Sequence, residues 1–173
     1  AASITQGAIL IAQGQGSLGL SYLERGATLA EAIGCAEPLV EGQMRLAEAR
    51  LALGDLEGAT REEQIGFIRA TQVGHLLLLG LAHRIMGRIA MARQDWSLAD
   101  RHFRQAYDYC LAVDAKHELG RVLVDFATMW RSWAASNTPG LDGGAMIEQA
   151  RQMLQQASQL FAHLDMQADL RAT

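Results

Sequence analysis

The chain has 173 residues, half of them hydrophobic, with two prolines and a formal net charge of −4. That length suits one domain, and the mild acidity argues against a general nucleic-acid binder, which would be basic. The longest apolar run, 76–82, is seven residues, far short of the ~20 that a membrane span needs.

Helical periodicity, read in chain order, predicts four hairpins. The first pairs a helix over 2–13 with one over 17–33, and the second pairs 38–53 with 56–73. Pro38 is tolerable in a first helical turn. In the third, 76–92 is apolar almost all round, interrupted by His83, Arg84, Gly87 and Arg88. A surface helix shows a single apolar stripe, so this one is expected to be buried on two or more sides. Its partner over 96–114 carries Trp96, Ala99, Phe103, Ala106, Cys110 and Val113 at helical spacing, with Asp95 placed to cap it. The fourth pairs 116–135 with 145–164, across the one clear loop at 136–144, which is dense in turn residues. No stretch alternates like a strand.

Two helices of this size cannot bury their faces alone, so repeats are expected. Gly54-Asp55 precedes Gln94-Asp95 by 40 residues, and Gly7, Ala47, Gly87 and Ala127 recur at the same step. Ala150, Leu154 and Ala157 restate Ala99, Phe103 and Ala106 at an offset of 51, as if 11 residues were inserted. Leu164-Asp165 before Leu170 restates Val113-Asp114 before Leu119.

Gly87, followed by Ala99-x3-Phe103-x2-Ala106, resembles the tetratricopeptide repeat, which has a small residue mid-way along its first helix and this pattern in its second. The longer period and the Gly-Asp turn are similar to the variant in bacterial signalling regulators of the maltose-activator type and in multidomain cyclase and ATPase proteins. The large aromatic usual early in the first helix is replaced by His83, and the proline usual after the second is absent. The resemblance implies an all-α right-handed superhelix of antiparallel helix pairs, a TPR-like α-solenoid of about four repeats (1–38, 39–78, 79–118 and 119–169). Armadillo or HEAT-like repeats have similar periods and are the alternative. The chain lacks an initiator Met and stops where another first helix is expected, and so reads as a fragment of a larger protein.

The resemblance also implies that the first helices line a concave groove. Arg84, Arg88 and Arg131 would face it, with Met44, Glu48, Leu51, Met91, Val124 and Thr128 at equivalent positions. Two readings compete. In one, Glu48 pairs with Arg88 across adjacent helices. In the other, Arg84, Arg88 and Arg131 hold an anionic peptide or ligand, with Met44 and Met91 as adaptable apolar contacts.

Other chemistry finds little support. Gly14-Gln15-Gly16-Ser17-Leu18-Gly19 fits the dinucleotide fingerprint, but that motif needs a βαβ unit; here it shares the phase of Gly54-Asp55 and reads as an inter-helix turn. The five histidines show no metal-ligand spacing, and His83 reads as packed between helices. Glu62 and Glu63 read as a solvated helix face, and the three tryptophans as inter-repeat packing. Cys35 and Cys110 read as buried free thiols, which fits a reducing, cytoplasmic compartment. No cofactor, metal or catalytic group is implied.

The expected function is therefore a protein–protein interaction scaffold in a larger bacterial signalling or transcription-regulatory protein, binding a protein or peptide in the groove. A small-molecule effector sensor is the alternative. Contact with membrane or nucleic acid is not expected. Repeats contact only their neighbours, and the ends lack polar caps, so self-association through an exposed end is also expected.

Overall fold

The computed structural model describes residues 2–136 and 138–163, and within them the fold is all-helical with no strand. Eight helices follow in order: α1 (Ala2–Ala12), α2 (Gly16–Ala32), α3 (Ala36–Ala52), α4 (Leu56–Val73), α5 (Leu76–Ala92), α6 (Trp96–Ala112), α7 (Lys116–Ala135) and α8 (Gly143–His163). Each agrees with its expected range to within about two residues at either end. The expected turn at Leu164-Asp165 and the helix after it lie outside the described residues.

A regular device sets the spacing. Gly14, Gly34, Gly54, Gly74, Gln94 and Asp114 stand at 20-residue intervals and all have positive φ, between 51° and 81°. The left-handed conformation turns the chain out of a helix and satisfies the last carbonyls. After five of the six, the next residue's amide reaches back five positions: Gln15 to Leu10, Cys35 to Ala30, Asp55 to Arg50, Asp95 to Ala90 and Ala115 to Cys110, all at 2.9–3.0 Å. The 40-residue repeat is thus two 20-residue half-steps. Gly14 opens the first inter-helix turn, not a nucleotide loop.

Three of the four second helices, α4, α6 and α8, start with a side-chain cap, and α2 does not. Asp55 accepts from the amide of Gly58 at 2.8 Å, Asp95 from Leu98 at 3.1 Å and Asp142 from Ala145 at 3.0 Å. Such a cap is worth roughly 0.5–2 kcal/mol. No side-chain cap precedes α3, α5 or α7.

Within a hairpin, a small residue on the first helix receives a large one from the second. A Cβ on Gly87 would lie 2.8 Å from the Phe103 ring, and one on Gly7 would lie 2.7 Å from Leu23. Phe103 and Leu23 are both fully buried, worth roughly 1.5–3 kcal/mol each. Between hairpins, the backbones of α1 and α3, of α3 and α5, and of α5 and α7 approach closely, whereas those of α2, α4, α6 and α8 stay apart and an ion pair of long side chains, Arg69 to Glu31 at 3.1 Å, spans α4 and α2. The array is tighter on the α1/α3/α5/α7 side. No described helix is long and apolar enough to cross a membrane.

Candidate functional site

The inner faces of α3, α5 and α7 carry a cluster of four arginines and four carboxylates. Its hub is Glu48 of α3. Glu48 Oε1 accepts from Arg84, from Arg88 at 3.0 Å and from Arg121 at 3.3 Å, and its Oε2 accepts from Arg45 at 3.0 Å. Arg84 of α5 also donates to Asp125 of α7 at 2.8 Å. Its Nε stands 2.8 Å from Glu118 Oε1, an ion pair without hydrogen-bond alignment. Glu41 lies 3.9 Å from Arg45.

Burial alone would raise the pKa of Glu48, but Arg84, Arg45, Arg121 and Arg88 outweigh it and hold the carboxyl well below the usual range. Burial likewise opposes the charge of Arg84, and Glu48, Glu118 and Asp125 overcome it, so that the guanidinium stays charged. One hub carboxylate and one buried guanidinium therefore stitch three hairpins together.

Arg88, Arg45 and Arg121 are less deeply placed, with side-chain exposures of 24%, 19% and 31%. All three line an open cleft of about 550 Å³, together with Glu48 and an apolar wall from Ile4, Ala8 and Ile9 of α1. A second cleft of about 630 Å³ opens at the starting ends of α3, α5 and α7, beside Leu78, Leu81 and Lys116. The two clefts share Glu41 and Arg45.

Of the residues read from the sequence as groove-lining, the structure brings together Glu48, Arg84 and Arg88. Arg84 is corrected in its role: it is 2% exposed and already saturated by carboxylates, so it supports the cleft from beneath and offers no open anion contact. Met44 is corrected outright. It is fully buried in the core shared with Leu78, Leu81 and Ile85, and its terminal methyl fills the space a Cβ would need at Gly66. Met91 is half-buried against the Phe103–Phe126 cluster. Thr128 is exposed and returns its hydroxyl to the carbonyl of Val124 at 2.9 Å. Arg131 is exposed towards the end of α7 and forms no ion pair with the cluster among the described residues.

Sequence reasoning missed Arg45, Arg121, Asp125 and Glu118. The signal was present: stepping back three and seven positions from Glu48 along one helix face gives Arg45 and Glu41, and two 40-residue steps carry those positions to Asp125 and Arg121.

Two further corrections concern titratable groups, Glu63 and Cys35, while Cys110 and His83 lie buried as expected. Glu63 is 4% exposed, not solvated, whereas Glu62 lies 3.5 Å from Arg50. Cys35 is exposed; Cys110 is buried, and its burial, with Glu118 nearby, pushes the thiol up to about 12, which leaves no thiolate for nucleophilic chemistry. His83 is buried between helices, with its Nδ1 3.1 Å from that of His102 and its ring edge-on to Phe67 and parallel to Tyr109. One ring must donate and the other accept. Burial, and then His102, lowers His83 to about 4.

Among the described residues no group of three or more His, Cys, Asp or Glu side chains is placed to hold a metal ion. No protein-family model matches the chain, and no curated protein matches it either.

Proposed function

We propose that the α1/α3/α5/α7 face holds an extended segment of a partner protein, with an acidic group of the segment against Arg45, Arg88 and Arg121. The observation that carries this reading is the convergence of three partly exposed arginines from three helices on one cleft that also has an apolar wall. A guanidinium presents a planar fork suited to carboxylate or phosphate. An incoming anion would share or take over donors now directed at Glu48. The chain then acts as a tetratricopeptide-like interaction scaffold, within a larger signalling or regulatory protein as the sequence resemblance implies.

A test is selection from a random-peptide display library on the immobilised protein, followed by fluorescence polarisation of the enriched peptides. Acidic peptides with neighbouring apolar residues are expected. Their affinity is expected to fall at least about tenfold, or 1.4 kcal/mol, in Arg88→Glu/Arg121→Glu. Peptides that bind the variant as well as the parent chain would remove the proposal.

A second reading, a small-molecule effector sensor, is favoured by the cleft volumes of about 550 and 630 Å³, which fall in the range of small-ligand pockets. A thermal-shift screen of anionic metabolites, with no peptide enriched in the display experiment, would favour it.

A further inference from the structure

The second hairpin holds a side chain that its sister hairpins replace with a core plug. Positions 23, 63 and 103 stand at equivalent places on α2, α4 and α6. Leu23 and Phe103 fill the space beside Gly7 and Gly87; the corresponding residue of α4 is Glu63. It is 4% exposed, and its Oε1 is buried without a hydrogen-bond partner. Gln43 of α3, at the same hairpin interface, has a second buried oxygen without a partner. Gln43 packs beside Gly66, one turn along α4 from Glu63.

Charged groups on the helices packed against α4 are engaged elsewhere. Arg50 of α3 lies against Glu24, Asp55 and Glu62. Arg45 and Glu48 of α3 and Arg84 and Arg88 of α5 belong to the inner-face cluster. His83 of α5 is turned to Phe67 and His102. An ionised Glu63 would therefore sit in an apolar interface without a counter-charge, a costly arrangement that such groups avoid by holding a proton.

We infer that Glu63 makes the α3–α4 hairpin a proton-operated joint, packed while the carboxyl is protonated and loosened when it ionises. Burial raises its pKa to about 7 from the ordinary 4.5. The folded state thus keeps a proton that the unfolded chain releases. The stabilisation is complete below about pH 4.5 and is lost as pH rises through about 7. Across that interval the ratio of opened to packed hairpin is expected to rise on the order of a hundredfold. Because α3 also carries Arg45 and Glu48, the joint would tie the proposed groove to proton concentration; this last consequence alone rests on the groove.

The test compares the parent chain with Glu63→Gln and Glu63→Leu by thermal melts between pH 5 and 8.5, and by hydrogen exchange at matched intrinsic rates. The parent is expected to lose several degrees of Tm relative to both variants towards pH 8.5, with the gap closing at pH 5. Its lost protection should be confined to α3 and α4. Parallel Tm profiles, or loss of protection spread over all hairpins, would overturn the inference. A carbon-detected NMR titration of the parent protein needs no variant to fold: a Glu63 midpoint near neutrality supports the joint, and an ordinary carboxyl midpoint refutes it. None of these readouts involves peptide binding.

Discussion

Glu48 and Arg84, 36 residues apart, meet across the seam between the second and third hairpins. The contact joins the hub carboxylate of the cleft to the most deeply buried guanidinium of the cluster. Arg84 is 2% exposed and holds Glu48, Glu118 and Asp125 at once, so removing it undoes the deepest charge pairing of the cluster.

Arg84→Met is therefore expected to destabilise the fold by about 3–5 kcal/mol, the usual cost of breaking a buried pair. Glu118 loses the arginine beside it at the same time, and Asp125 is left with Arg88 at 3.9 Å. Arg84→Lys should recover only part of this, since an ammonium cannot present the planar fork that reaches three carboxylates. Urea denaturation with an unchanged m-value checks the expectation. A midpoint for Arg84→Met equal to that of the parent would show that the cluster adds no stability.

The His83–His102 pair gives a pH dependence of opposite sign to Glu63. Burial holds His83 at about 4, below its ordinary 6.5, so the unfolded chain takes up a proton that the folded chain refuses. The stability of the neutral pair is fully present above about pH 6.5 and is lost as pH falls towards 4. Leu123 occupies the equivalent position in the fourth hairpin and is buried. His83→Leu should accordingly cost about 0.5–1.5 kcal/mol at pH 7.5 through the lost hydrogen bond and flatten the acid limb below pH 6. Chemical denaturation of both proteins at pH 7.5 and 4.5 measures the difference, and an undiminished acid limb in the variant would assign the proton uptake elsewhere.

Gln94 and Asp114 occupy the left-handed turn position that glycine fills at the four earlier steps. A side chain there costs roughly 1–2 kcal/mol in backbone strain, partly offset because glycine loses more entropy on folding. Gln94→Gly and Asp114→Gly are each expected to stabilise by about 0.5–1 kcal/mol, read as a rise in Tm of a few degrees. A fall in Tm would mean that these side chains hold the turn by contacts that outweigh the strain.

The helices and turns were legible because their signals are local. Gly54-Asp55 and Gln94-Asp95 combine the left-handed exit with the next helix cap within two residues, so boundaries could be read without knowing the packing. The site was only partly legible, because burial is not local. Met44, Arg84 and Val124 share one phase, and the resemblance placed that phase in the groove. In the structure it lies in the contact between successive inner helices, so Met44 becomes core and Arg84 becomes a buried tie. The positions that line the cleft lie further round the helices, at Arg45, Arg88 and Arg121, and of these only Arg88 was read from the sequence. Glu63 was missed for a related reason: a charged residue beside Glu62 looks solvated until the 40-residue step sets it against Leu23 and Phe103.

The central claim is that the inner face, not the outer one, receives the partner. Amide NMR spectra of the protein recorded with a display-selected acidic peptide test it most directly. The account predicts shifts concentrated at and around Arg45, Arg88 and Arg121, with α2, α4 and α6 unmoved on their outer surfaces. Shifts confined to those outer surfaces, with the three arginines silent, would contradict it.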